Sequence, residues 1–216
     1  MTTISPKGMK ILIADDHTIV RRGLKQLLLE EYPFAILGEV GDAEALIETV
    51  TLQNWDILLC DINMPGRSGI DALQQIKQSV PTLPVLIMSM YPEEQYALRV
   101  FKAGAAGYLS KETIHLDLIN AIEKVIAGKK FITASIAEKL FDSLDVKTQK
   151  PLHETLSNRE YEVFMSLVSG KSSAAIADKL SISSTTVSTY RIRILEKMKM
   201  DSNTELIKYA IEFKLI

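Results

Sequence analysis

The stretch Lys10-Ile11-Leu12-Ile13-Ala14-Asp15-Asp16 decides the fold. A short β-branched apolar run suits a strand buried in a parallel sheet, and it ends on two adjacent carboxylates. Working outward, comparable runs stand at 35–40, 57–60, 85–88 and 106–109. Between them the apolar residues take helical spacing: Val20, Leu24, Leu27 and Leu28 share one face, as do Leu118, Ile122, Val125 and Ile126. Strands alternating with amphipathic helices predict an α/β doubly wound fold with a five-stranded parallel sheet covered on both faces.

From Gly128 the strand pattern stops. Residues 128–151 read as a linker around a short helix at 134–141, and residues 152–216 as helices only, at 158–168, 174–179, 185–199 and 203–214. The expected organisation is therefore an N-terminal domain over 1–127, the linker, and an all-α four-helix domain over 152–216.

Composition narrows the function class. With 47% hydrophobic and 24% charged residues in 216, the chain has the balance of a globular protein. Its apolar runs are too short to span a bilayer and residues 1–10 lack a signal-peptide core, so the expected location is the cytoplasm, away from membranes. The single cysteine, Cys60, can form no internal disulfide and sits among strand residues. Net charge is -2, which hides an uneven distribution. Residues 1–152 hold 16 Lys and Arg against 19 Asp and Glu, whereas residues 153–216 hold 9 against 8. Within 185–200, Arg191, Arg193, Lys197 and Lys199 face one acid, Glu196, so positive charge concentrates on one predicted helix.

The strand ends carry the chemistry. Asp15 and Asp16 follow the first strand, Asp61 the third, Ser89 ends the fourth and Lys111 lies past the fifth. In a parallel sheet these groups gather at one edge, where such folds place their sites. Carboxylates about 4 Å apart repel by roughly 4 kcal/mol at an effective dielectric near 20, so the cluster calls for a counter-charge. Read as an oxygen-only site without histidine or cysteine, it favours Mg²⁺. A metal, an ammonium, a hydroxyl and an in-line carboxylate are the parts that phosphoryl transfer needs.

Asp15-Asp16, Asp61, Met64-Pro65-Gly66, Ser89 and Gly104-Ala105-Ala106-Gly107-Tyr108-Leu109-Ser110-Lys111 resemble the receiver domain of two-component response regulators, over about residues 9–127. The resemblance implies a flavodoxin-like fold in which Asp61 accepts a phosphoryl group from a sensor histidine kinase. It implies that Asp16, Asp61 and the main-chain carbonyl of Asn63 hold Mg²⁺, with Asp15 acting through water. Ser89 and Tyr108 become a switch pair, Tyr108 turning inward on phosphorylation, and Lys111 binds phosphoryl oxygens. Asn63 and Tyr91 stand two positions beyond Asp61 and Ser89, where receivers tune phosphoryl lifetime. Glu112 follows Lys111 where many receivers carry a cis proline; a cis bond before a non-proline residue costs about 3 kcal/mol.

In the second half, 172–180 reads as a helix, 181–184 as a serine-rich turn and 185 onward as a longer helix, the pattern of a helix-turn-helix. On that second helix Val187, Ile194 and Met198 can face the core, leaving Ser188, Thr189, Arg191 and Ile192 on its other sides. Leu156-Ser157-Asn158-Arg159-Glu160, Glu162-Val163, Gly170, Ile176-Ala177, Leu180, Ser183, Thr186-Val187 and Ile194-Leu195-Glu196-Lys197 resemble the output domain of the NarL/FixJ class, the LuxR-type helix-turn-helix. That resemblance implies double-stranded DNA as partner, contacted by Ser188, Thr189, Arg191 and Ile192, with Thr186, Val187, Tyr190 and Arg193 near the backbone. It further implies regulated transcription. A single small domain with so little net charge makes few DNA contacts, so phosphorylation is expected to promote a homodimer that binds two half-sites. Ala175 and Tyr190 replace a common glutamate and histidine of the class.

Two enzyme readings fit less well. Aspartate-nucleophile phosphatases carry a second aspartate two residues after the nucleophile, but Thr18 stands two positions after Asp16; and residues 15–22 contain no glycine-rich phosphate loop. A protein-interaction role for the C-terminal domain is the rival within the binding class.

Overall fold

The computed structural model describes residues 8–65, 67–134, 136–138 and 151–216. Contacts divide the chain into two compact units, separated between residues 144 and 145.

The first unit runs β1 (Lys10–Ala14), α1 (Thr18–Glu31), β2 (Ile36–Val40), α2 (Ala43–Leu52), β3 (Ile57–Asp61), α3 (Gly69–Ser79), β4 (Val85–Ser89), α4 (Glu93–Lys102), β5 (Gly107–Ser110) and α5 (Ile114–Ile126). All pairings are parallel, in the order β2-β1-β3-β4-β5. The doubly wound sheet read from the sequence is thus present, with strand ends shifted by a residue. β3 and β4 are buried at every position, which is why their sequences are continuously apolar instead of alternating. On one face Ile11, Ile13, Ile57, Leu59, Leu86 and Met88 pack with Leu24 and Leu28 of α1 and Leu118, Ile122 and Val125 of α5. Alternate strand residues, including Leu12, Leu58, Cys60 and Ile87, point to the opposite face and are fully buried there.

Backbone approach is closest behind the acidic edge. A Cβ on Gly69 would lie 2.0 Å from the Asp61 carbonyl oxygen, so only glycine lets α3 start this near β3. Gly107 is similarly pressed between Leu86 and Phe131.

The second unit opens with a 3₁₀ turn (Leu152–Thr155) and continues with α6 (Asn158–Val168), α7 (Ser173–Leu180), α8 (Ser184–Met198) and α9 (Asn203–Glu212). Serines cap all four helices: Ser157, Ser172, Ser183 and Ser202 each accept from a main-chain amide three residues on, and Ser157 with Glu160 completes a capping box. Val163, Phe164, Ile176, Leu180, Val187, Ile194, Met198 and Leu206 form its core. The buried Arg159 donates to Glu162 at 2.7 Å and to the Leu180 carbonyl at 2.6 Å, tying α6 to the end of α7. Of the short helix expected over 134–141, residues 134 and 136–138 are helical and the remainder lies outside the described residues, as does Gly66 of the Met64-Pro65-Gly66 turn. Among the described residues no helix is long and apolar enough to cross a membrane.

Candidate functional site

Parallel pairing in register brings the ends of β1, β3, β4 and β5 to one edge, and the nominated side chains meet there. Lys111 Nζ lies 2.6 Å from Asp15 Oδ2 and 2.6 Å from Asp61 Oδ2. Asp15 and Asp61 are buried, whereas Asp16 is exposed. The tandem acids are therefore not equivalent: Asp15 belongs to the ammonium and Asp16 faces solvent at the mouth of the pocket. Burial of the carboxyl, resisted by Lys111, and the neighbouring Asp15 charge push the Asp61 pKa up to about 6. Burial opposes the charged form of Lys111, yet Asp61 and Asp15 outweigh it and raise its pKa above the usual lysine value.

The expectation of a pocket without histidine is corrected by the structure. His17 Nδ1 is 2.6 Å from Asp16 Oδ1, and donor atoms of Asp15, Asp16, His17 and Asp61 all lie within 4.8 Å of one another. His17 stands at the position before α1, directly after the acids, so its adjacency in sequence was the available signal. The donor set fits a divalent cation on a second count. Asp61 Oδ1 is buried with no hydrogen-bond partner among the described residues, an arrangement that a bound cation would satisfy; the side-chain Oδ1 of Asn63, whose main-chain carbonyl is the expected ligand, is also without one.

Ser89 is fully buried at the end of β4 and its Oγ accepts from the Tyr91 amide at 3.0 Å. The Tyr108 ring is already inside, 5% exposed, with its hydroxyl beside Ser89 and donating to the Tyr91 carbonyl at 2.7 Å. An inward turn of Tyr108 is thus not something that phosphorylation has to bring about from this conformation. Tyr91 stacks on the buried Tyr96 at 4.6 Å, so the β4–α4 loop that carries the hydroxyl's acceptor is anchored to α4. The peptide bond between Lys111 and Glu112 is trans, as are all those among the described residues.

Residue sequences along α8 place the DNA candidates on one element, but not equally. Ser188, Thr189, Ile192 and Arg193 are exposed, Thr186, Tyr190 and Arg191 half-buried. Val187 is fully buried, so its side chain belongs to the core and is corrected from the list of groups near DNA. Ser188 and Thr189 hydroxyls donate back to the carbonyls of Ser184 and Thr185, leaving oxygen lone pairs facing outward. Arg191 Nε donates to Asn203 Oδ1 at 2.7 Å. Lys197 is engaged with Glu160 at 2.6 Å.

Comparison with known proteins accounts for both halves. Residues 11–123 match the family described as response regulator receiver domain, and residues 154–210 match bacterial regulatory proteins of the luxR family. The chain belongs to the response regulators. It is 32% identical to the response regulator GacA of Pseudomonas protegens over 210 residues, covering 96% of this chain and 98% of that one. The oxygen regulatory protein NreC of Staphylococcus haemolyticus is 32% identical, with 96% and 99% coverage. Among solved structures, RcsB of Salmonella enterica serovar Typhimurium bound to the promoter rprA with the phosphomimetic BeF₃⁻ is 26% identical at TM-score 0.61, covering 94% and 98%. A response regulator RcsB–DNA complex is 27% identical at TM-score 0.57, covering 97% and 100%. This response regulator is accordingly a two-component, DNA-binding regulator of transcription, not a classical enzyme.

Proposed function

We propose that Asp61 is the phosphoacceptor, that it takes its phosphoryl group from a sensor histidine kinase, and that the charge so acquired favours a homodimer that binds double-stranded DNA through α8. The observation that carries this reading is the Asp61 carboxylate itself. One oxygen is held by Lys111 at 2.6 Å, the other is buried with no hydrogen-bond partner among the described residues, and donor atoms of Asp15, Asp16, His17 and Asp61 lie within 4.8 Å of one another. Attack by that second oxygen on the phosphorus of a phosphohistidine protonated at its other ring nitrogen forms the acyl phosphate while the P–N bond breaks and neutral imidazole leaves, keeping that proton. Lys111 neutralises charge building on the transferred group, and Ser89 offers its hydroxyl to a phosphoryl oxygen. Asp16, Asp61 and Asn63 would hold Mg²⁺, with Asp15 behind; the ion, when bound, supplies charge neutralisation to the phosphoryl oxygens. The chain assists its own phosphorylation without turning over a separate substrate. The domains are assigned as receiver over 1–127, linker over 128–151 and LuxR-type domain over 152–216. Incubation with acetyl phosphate, read by intact mass, tests the assignment. The expected gain of one phosphoryl group needs Mg²⁺ and disappears in Asp61→Asn; labelling of that variant would overturn it.

A further inference from the structure

We infer that Asn203, on the last helix, is a positioning residue for DNA recognition: its side-chain oxygen fixes the plane of the Arg191 guanidinium on α8. This rests on the reading that α8 contacts DNA and deepens it. The two residues are 12 apart in sequence and on different helices, yet Arg191 Nε donates to Asn203 Oδ1 at 2.7 Å. Arg191 is half-buried, and its two Nη atoms have no protein partner among the described residues. Guanidinium is planar, so anchoring Nε fixes the direction in which both Nη groups point. What remains is a preset fork for a pair of acceptors on DNA, either phosphate oxygens or a base edge.

Neighbouring candidates are arranged differently. Ser188 and Thr189 spend their hydroxyl protons on α8 carbonyls, and Lys197 is turned to Glu160. Arg191 is thus a strong donor on α8 whose orientation is set before DNA arrives. An unrestrained arginine loses rotamer freedom on binding; Asn203 moves that loss into folding and so preserves affinity. Asn203 is not needed to start its own helix, because Ser202 caps α9 by accepting from the Glu205 amide and Asp201 N donates to Glu205 Oε2. Asn203→Ala therefore leaves the helix intact and puts a good helix former at its first position.

The test is a double-mutant cycle with the full chain treated with beryllofluoride, on a duplex selected from a randomised pool by the wild-type protein. Asn203→Ala is expected to weaken binding by about threefold to tenfold, the range of one net hydrogen bond, without changing the salt dependence, since no charge is removed. In the Arg191→Ala background the same change is expected to cost less than about twofold. Proton–nitrogen correlation spectra add a readout that simple packing does not move. The Arg191 Nε–H signal, slowed in solvent exchange in the wild type, loses that protection in Asn203→Ala and keeps it in Asn203→Asp, which retains the acceptor. If Asn203→Ala weakens binding equally with and without Arg191, the positioning role is overturned while α8 stays the DNA-binding element. If Arg191→Ala has no effect on binding, both the positioning role and the contact it serves are overturned.

Discussion

Two carboxylates, Asp15 and Asp61, share the Lys111 ammonium at 2.6 Å each, and both are buried. One charge is therefore in excess inside the fold. Burial raises the Asp61 pKa to about 6, above the ordinary value for aspartate. Between about pH 4 and 6 the folded chain consequently binds more protons than the unfolded one, and stability falls as pH rises through that window. Asp61→Asn removes the ionisation and leaves Lys111 paired with Asp15. It is expected to stabilise β3 by roughly 2–3 kcal/mol at pH 7 without added metal, at about 1.4 kcal/mol per unit of pKa displacement, and to show no gain at pH 4. Hydrogen exchange of the β3 amides in the full chain measures this; equal protection of variant and wild type at pH 7 would contradict it. A site under this strain is one that gains from a cation, so Mg²⁺ should close most of the same gap in the wild type and none of it in the variant.

At the scale of elements, α6 is held by its start. Burial works against the ionised Glu160, but the Lys197 ammonium at 2.6 Å and the Ser157 amide and hydroxyl outweigh it and hold the carboxyl below the usual glutamate range. A depressed carboxyl contributes stability above the ordinary glutamate pKa and loses it as pH falls through the folded value. Ser157→Ala is expected to cost about 1 kcal/mol through the lost cap. Glu160→Gln is expected to destabilise the C-terminal unit at pH 7 and to converge with wild type near pH 3, in urea unfolding followed at both pH values. Convergence at pH 7 instead would remove the Lys197 pair from the account. The capping box shows what a sequence makes legible. Ser157 and Glu160 are three apart, as are the capping serine and its amide donor in the other three helices of the second unit, so local spacing suffices. The sheet was legible for the same reason, since complete burial of β3 and β4 writes itself as unbroken apolar runs. Beyond the gathering of groups at the strand ends, the individual side-chain pairings set by tertiary geometry were not. Which of Asp15 and Asp16 is buried depends on strand direction at the sheet edge, the Arg191–Asn203 bond joins two helices, and the inward Tyr108 depends on the Tyr91 carbonyl. A helical period alone leaves Val187 on the border between the core and DNA-facing sides of α8, and packing puts its side chain in the core.

For the whole molecule, the question is how so modest a charge holds DNA. Residues 153–216 carry 9 Lys and Arg against 8 Asp and Glu, and Lys197 on α8 is already paired with Glu160. One copy therefore neutralises few phosphates, and its affinity should be low and salt-sensitive. Two linked copies make the second contact intramolecular and can raise affinity by about 10²- to 10⁴-fold. A surface able to link them lies at the end of the chain: Ile211 is 60% exposed, Phe213 42% and Ile216 48%, although Leu206 and Tyr209 of the same helix are buried. Phe213 is held in place by stacking on Tyr209 at 4.3 Å, with His153 packed edge-on, so the patch is a fixed shape and not a loose tail. The expected outcome is that beryllofluoride shifts the chain toward a dimer in sedimentation and tightens binding to a duplex with two half-sites far more than to one with a single half-site. Ile211→Asp should abolish the two-site advantage, because it places a charge in the pairing surface, while leaving single-site affinity within about twofold, since Ile211 lies outside α8. A variant that keeps the two-site advantage would exclude this face of α9 from the pairing. A wild type whose mass and two-site affinity ignore beryllofluoride would remove phosphorylation-driven pairing altogether.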